Sequence, residues 1–476
     1  MMDELIPVAT AAEPISKSFS STRNACKLCA PLGACIAYRG IEGCIPLIHG
    51  SQGCATYIRR YGISHFREPI DIASSNFTES SAIFGGKENL VTAIANVARQ
   101  YGPRAIGIAT TCLTETIGDD VASYLKSIEA ERAGRDGPVL FHAPTPSYRG
   151  THMDGYHEAI LSAVRKLAAG GRDDQCGDPR GESRSELPAR VNLIPGFVSA
   201  EDLREFRDIM DSFGVPYTLL PDYSETLDGG SWETYQKLPE GGTRIADIAA
   251  MGTSRATLYL GKSASVERSA GAWLERNRGV RNVPLDLPIG IVATDAFFAA
   301  LEEATGRATP ERWAKARGRL VDAYIDGHKY CSGKKAVVYG EEDFAVAICG
   351  FLSEVGITPV IVGTGSKSAA FSSRVNAAAS EARGRVEAID EADFATILER
   401  ARDAKPDLVI GNSKGYYLAR NLGIPLVRCG FPVHDRMGGQ RILHVGYRGT
   451  VALFDSVCNA LMGERQQAAK NGWTYI

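Results

Sequence analysis

Three thiols stand where a thiol can do chemistry. Cys112 closes the run Ala105-Ile-Gly-Ile-Ala-Thr-Thr-Cys112, which reads as a buried strand ending in a sulfur. Open parallel sheets bind ligands at the carboxyl ends of their strands. The helix predicted to follow begins near Ile117, and its positive end favours the thiolate. Such a thiolate could hold a metal or attack an electrophile. Cys54 closes His49-Gly-Ser-Gln-Gly-Cys54, where Gly50 and Gly53 let the backbone approach a bulky ligand. Their N–H groups are expected to point at sulfide or thiolate and tune a cluster's potential. Cys29 opens Cys29-Ala-Pro-Leu-Gly33, again a thiol beside proline and glycine.

The distribution of sulfur supports metal or redox work. Of 11 cysteines, five lie between Cys26 and Cys54, and Cys112 follows. A reducing cytosol disfavours structural disulfides, so such a group points away from stapling. Cys349 and Cys458 lie in apolar, helix-like settings and read as packing thiols. Cys26 and Cys29 make one C-x-x-C pair. A structural zinc site wants a second pair, and the sequence has none. A Cys/His nucleophile is the other composition-level reading, with His49, His65, His142 and His152 in the same segment. Single histidines are more often packed or surface groups.

These residues need elements to hold them, and the pattern is α/β. Val191-Asn-Leu-Ile reads as a buried strand. Ser199 with Asp202 opens a helix whose apolar positions Leu203, Phe206, Ile209, Met210 and Phe213 keep helical spacing up to Gly214. A strand from Tyr217 to Leu220 completes a βαβ unit, the building block of parallel sheets. The pattern recurs. Strands are predicted at 335–339, 358–362, 407–410 and 425–428, with helices at 342–355, closed by Gly356, and at 413–422. Leu453 to Met462 lies in a C-terminal helix. Earlier, 105–109 is a strand and 117–128 a helix. The polar, Gly- and Pro-rich stretch 170–190 reads as a surface linker, and 302–315 as one charged helical run. The expectation is three Rossmann-like domains with parallel sheets flanked by helices: 1–190 with the cysteines, 191–330, and 331–476.

Bulk properties set limits. The 476 residues suffice for several cores, and 44% apolar with 23% charged residues reads as soluble and globular. A net charge of −3 advertises no nucleic-acid surface. No apolar run approaches bilayer length, so no membrane partner is expected. Met1 to Thr22 lacks a secretory pattern, reads as a loose arm, and leaves a cytoplasmic protein.

The ordered set of short segments resembles the nitrogenase superfamily, specifically the β-subunit of the molybdenum–iron protein and its relatives. The resemblance rests on Cys29-Ala-Pro-Leu-Gly-Ala, His49-Gly-Ser-Gln-Gly-Cys54, His65-Phe-Arg-Glu-Pro69, Phe84-Gly-Gly86 and Thr110-Thr-Cys112-Leu-Thr-Glu115. It continues through Ile117-Gly-Asp-Asp120, Thr145-Pro-Ser147, Ile410-Gly-Asn-Ser413, Gly430-Phe-Pro432, Asp435-Arg436 and Gly446-Tyr447, and so spans nearly the whole chain.

The resemblance implies the nitrogenase component 1 fold. It implies that Cys29, Cys54 and Cys112 ligate half of an eight-iron, seven-sulfide P-cluster, with the Ser147 oxygen as a ligand to its oxidised form. Soft thiolates suit such clusters. A homologous α-type subunit would supply the remaining ligands in an α2β2 heterotetramer. A second implied site lies between two β-type subunits: a mononuclear iron or calcium held by the Arg67 carbonyl, Glu68, Asp322 and Asp326. The two Asp share a helix face at i and i+4, and oxygen ligands suit hard cations. A solvated acidic face is the plainer reading of the same pair.

The distinctive cysteine and His-rich stretch of cofactor-holding α subunits match nothing here, and His434 and His444 lie in the β-like tail instead. The catalytic cluster is therefore expected in the partner, with no catalytic residue in this chain. The best-fitting activity is a methylthio-alkane reductase, fed singly with electrons by an ATP-dependent iron–sulfur reductase protein. Two alternatives are the β-like subunit of a cofactor-maturation scaffold and a dinitrogen-reducing nitrogenase. Cys29 stands close to the start of the chain, whereas many nitrogenase β subunits carry a long extension, which argues against the standard enzyme. The dark-operative protochlorophyllide and chlorophyllide reductases share the fold but fit fewer of these segments.

Overall fold

The computed structural model describes residues 26–132, 136–168, 190–380, 382 and 384–469. The arm expected at 1–22 and nearly all of the linker expected at 170–190 lie outside the described residues.

Apolar runs become central strands buried on both faces, as parallel sheets require, while the edge strands Ala73–Ser74, Arg281–Leu285 and Glu387–Ile389 are partly exposed. The strands are β1 Cys44–His49, β2 Ala73–Ser74, β3 Ala105–Thr110 and β4 Val139–Ala143; β5 Val191–Ile194, β6 Tyr217–Leu219, β7 Ala256–Leu260 and β8 Arg281–Leu285; β9 Lys335–Gly340, β10 Thr358–Thr364, β11 Glu387–Ile389, β12 Leu408–Gly411 and β13 Leu426–Arg428. They form three parallel sheets, ordered β2-β1-β3-β4, β6-β5-β7-β8 and β11-β10-β9-β12-β13. Helices flank each sheet, so the architecture is the expected α/β type.

In the first sheet the order reverses between β1 and β3. Ligands of open α/β sheets bind in the crevice at such a reversal. β1 runs into the loop of Cys54, and β3 runs into Cys112. The third sheet reverses between β9 and β12, whose carboxyl ends carry Glu341 and Lys414.

Cys29 reaches the first crevice from the third sheet. The Cys26 N–H donates to Ala392 O at 3.1 Å, just past β11. The chain then enters the helix Ala30–Arg39, which lies against the helix His152–Leu167. A Cβ on Gly33 would sit 1.7 Å from the His152 carbonyl oxygen, and one on Gly155 would sit 1.9 Å from that of Ala30. Only glycine allows this backbone approach at both contacts.

Two predicted elements are corrected. No single helix runs from 117 to 128. A short helix starts at Cys112 itself, capped by the Thr111 side chain, and stops at Gly118 with φ +77. Asp120 then caps a second helix, Val121–Glu131. The run 302–315 also divides. Helix Ile291–Thr305 ends at Gly306 in the left-handed region, and Pro310 precedes helix Glu311–Cys331. The helix Ala200–Phe213 matches its prediction, including the reciprocal bonds between Ser199 and Asp202. No helix among the described residues is long and apolar enough to cross a membrane.

Candidate functional site

The loops at the ends of β1, β3 and β4 are stitched into one platform. The His49 carbonyl accepts the Thr111 N–H at 3.2 Å and the Thr114 hydroxyl at 2.6 Å. Thr145, beyond β4, donates its N–H to Thr110 Oγ1 at 2.9 Å and its hydroxyl to Thr110 O at 2.6 Å. Gly50 is forced by this contact, since a Cβ there would lie 2.2 Å from Thr111 Oγ1. Its N–H does not point at a ligand as expected. It donates to Ser75 Oγ at 3.0 Å, and the Gly53 N–H donates to Ser51 Oγ at 3.3 Å.

The platform gathers the three predicted thiols. Cys29 is the residue before the helix Ala30–Arg39, Cys54 is third in the helix Gln52–Phe66, and Cys112 is first in its short helix. Ser147 ties two of them. Its N–H donates to Cys112 Sγ at 3.2 Å, and its hydroxyl accepts the Ala30 N–H at 3.0 Å. Cys29 and Cys54 are partly buried and Cys112 is exposed.

The sulfurs lie within each other's fields. Burial pushes the Cys29 thiol up, the Ser147 hydrogen bond opposes it, and the charge of Cys112 raises it further. Burial also pushes Cys54 up, followed by the charges of Cys29 and Cys112. Lys414 counters this at Cys29. Its ammonium donates to Lys27 O at 3.2 Å from the end of β12. Among the described residues no three His, Cys, Asp or Glu groups are spaced for a single metal ion. Three soft sulfurs that sense one another suit an iron–sulfur group.

The other predicted metal residues are not brought together within one chain. Arg67 ends the helix Gln52–Phe66 at φ 63, with its guanidinium on His434 O at 2.8 Å. Glu68 is half-buried. Burial and then the charge of Asp228 raise its carboxyl, and Arg441 opposes them. Asp322 and Asp326 stand exposed on the helix Glu311–Cys331, on either side of exposed Ile325.

Comparison with known proteins decides the family. The model of nitrogenase component 1 type oxidoreductases matches residues 29–462. The nitrogenase molybdenum-iron protein β chain of Clostridium pasteurianum is 37% identical over 441 residues, covering 92% of this chain and 93% of that one. The chain belongs to the nitrogenase component 1 family. The β chain from Methanococcus maripaludis is 35% identical over 463 residues, covering 94% and 96%. A solved structure titled nitrogenase Cp1 at pH 6.5 superposes with a TM-score of 0.89 at 35% identity, covering 97% of this chain and 98% of that chain. A second nitrogenase Cp1 chain at 16% identity, TM-score 0.66, shows the shared fold.

Among nitrogenase-type chains this one is of the β type, and His49, His65 and His152 are held by contacts within the chain. His49 Nδ1 is 3.0 Å from Ser75 Oγ. Its Nε2 lies 3.3 Å from Asp119, whose carboxylate also accepts the Gly86 N–H at 2.9 Å. His65 Nδ1 accepts the Val433 N–H at 2.9 Å, and His152 Nε2 lies 3.0 Å from Glu341. None of these contacts is with a thiol, so the Cys/His nucleophile reading finds no partner pair. The C-x-x-C pair is split, because Cys26 packs in the apolar core of the third sheet.

Sequence reasoning missed two supports of the site. Asp119 was visible only as an acid in the tag Ile117-Gly-Asp-Asp120. Lys414 was an unremarked cation after a buried strand.

Proposed function

We propose that this chain is the β-type subunit of a nitrogenase-like iron–sulfur reductase. Cys29, Cys54 and Cys112 would supply its share of a P-cluster-type eight-iron centre, with Ser147 as an oxygen ligand. The carrying observation is the convergence of three separated thiols at one sheet's reversal point, partly open to solvent.

Three thiolates cannot complete an eight-iron group, so an α-type homologue provides the rest across this face. Leu113 and Tyr148, next to Cys112 and Ser147, expose large apolar side chains there, as a partner-covered surface would. The proposed assembly is an α2β2 heterotetramer. Glu68, Asp322, Asp326 and the Arg67 carbonyl would meet across two β-type copies around iron or calcium. Bound at the thiols, such a centre supplies single-electron transfer between an ATP-dependent reductase protein and a catalytic cluster in the partner. The residues of this chain position that centre and shield it. Ser147 holds Cys112 and the Cys29 helix start together, and Lys414 places positive charge beside Cys29.

For the substrate, our reading is reductive C–S cleavage. Two electrons and two protons convert a methylthio-alkane into an alkane and methanethiol. A second reading, dinitrogen reduction, draws on the relatives' names. The position of Cys29 near the start does not oppose it, because 93% of the C. pasteurianum β chain is covered. The third is a maturation scaffold.

Anaerobic co-purification with the α-type partner, then assay with its reductase protein and ATP, tests this. Methane with methanethiol from dimethyl sulfide supports C–S cleavage. Ammonia from dinitrogen supports the second reading. Transfer of a cofactor precursor without turnover supports the scaffold. Absence of iron from the intact complex would overturn the cluster assignment itself.

A further inference from the structure

We infer that Cys331 and Cys458 form an oxidisable dithiol, a modification site where peroxide installs a disulfide between two long helices. Cys331 ends the helix Glu311–Cys331, and Cys458 lies within the C-terminal helix Gly446–Gln467. Their Sγ atoms are 3.4 Å apart in a buried contact, although 127 positions separate them in the chain. This is the one thiol–thiol hydrogen bond among the described residues. A disulfide bond is about 2.0 Å long, so the sulfurs must close by only about 1.4 Å.

The close approach is built into both helices. Gly327 stands one turn before Cys331, and Phe454 stands one turn before Cys458. A Cβ at Gly327 would meet Phe454 Cζ at 2.4 Å and Cys458 Sγ at 3.1 Å. The missing side chain therefore lets the C-terminal helix settle onto its neighbour with the two sulfurs in register. The sulfurs are also unequal. The hydrogen bond between them holds Cys458 below an ordinary thiol and Cys331 above it. Cys458 is 7% exposed and Cys331 fully enclosed, so Cys458 is the sulfur an oxidant reaches first.

The chemistry balances with hydrogen peroxide as oxidant. The Cys458 thiolate attacks one peroxide oxygen, the O–O bond breaks, and the departing hydroxide takes a proton to leave as water. The Cys331 sulfur then attacks the resulting S–OH, the S–O bond breaks, and a second water leaves. Two thiols and one peroxide become one disulfide and two waters. The product fixes the helix bearing Asp322 and Asp326 onto the C-terminal helix.

The test uses the full-length chain in its complex, purified without oxygen and then exposed to a small excess of peroxide. Free thiols are blocked in denaturant, and the tryptic peptides are weighed. The peptide 330–334 is expected joined to 449–465, at about 2 Da below their summed mass for the two hydrogens lost. Reductant should separate them. Cys458→Ser and Cys331→Ser should each abolish the linked species, and Cys349→Ser should retain it. The wild-type chain alone decides the matter, so an unfolded variant leaves the result intact. Recovery of both peptides as blocked thiols, or of Cys458 as a sulfinic acid with no linked species, would overturn the proposal.

Discussion

The backbone N–H of Ser147 points at Cys112 Sγ from 3.2 Å, while the Ser147 hydroxyl accepts the N–H of Ala30, the residue after Cys29. One residue thus spans two of the three sulfur-bearing segments, through its backbone to one and its side chain to the other. Ser147→Ala should retain the three thiols and their metal. It should cost about 1 kcal/mol of stability through the lost helix-start acceptor. Denaturant unfolding of the metal-free chain checks the cost. If Ser147 is a ligand of the oxidised centre, the midpoint potential in an anaerobic redox titration should shift in Ser147→Ala, with iron content unchanged.

Gly33 makes the opposite kind of prediction, about packing alone. Gly33→Ala drives a methyl into the His152 carbonyl and should destabilise the chain by about 3 kcal/mol or more. Gly318 meets nothing within 4 Å in the interior of the helix Glu311–Cys331, so Gly318→Ala should be neutral or stabilising by up to about 1 kcal/mol. Thermal unfolding of the two variants side by side distinguishes a close-packed glycine from a merely tolerated one.

Acid sensitivity follows from His142. Burial holds its imidazole down to about 4, with nearby His49 adding to the effect, and its Nε2 is enclosed without a partner. The folded value is depressed, so the folded chain resists a proton that the unfolded chain accepts near pH 6.5. The stabilising contribution is whole above pH 6.5 and is lost as pH falls toward 4. Unfolding free energies measured from pH 7 to pH 4 should fall, with about 3 kcal/mol of the loss from this group. His142→Phe should make the fall over that window shallower, with the buried His49 and His65 keeping part of it.

Much of the fold was legible because the sequence writes it locally. Val191 to Ile194 is apolar apart from Asn192 and buried throughout, and Ser199 with Asp202 marks a helix start that the structure reproduces bond for bond. The misread elements had local signals of the wrong strength. The threonine-rich run around Cys112 looks like a loop until Thr111 caps it, and Gly306 with Pro310 cuts a run whose charges suggested continuity. At the site, the three thiols were visible as strand ends and glycine-flanked cysteines. Their supports were not, because His49 with Asp119 and Lys414 with Lys27 meet across long stretches of chain. Spacing along a chain carries no trace of such encounters.

The acidic pair on the helix Glu311–Cys331 has a separable role. Asp322→Asn with Asp326→Asn should leave iron at the thiol centre unchanged, because the pair lies outside that platform. It should weaken contact between β-type copies, read as a shift from tetramer toward αβ dimers in analytical ultracentrifugation. An unaltered tetramer at dilute protein concentration would mean that these two carboxylates are a solvated face.

The central claim is that Cys29, Cys54 and Cys112 hold iron jointly with a second polypeptide. Iron-edge anomalous diffraction from anaerobic crystals of the intact complex tests it most directly. The account predicts a compact group of iron peaks at bonding distance from all three sulfurs, bridged to ligands from the partner. Three sulfurs without iron, or iron bound wholly within this chain, would contradict it.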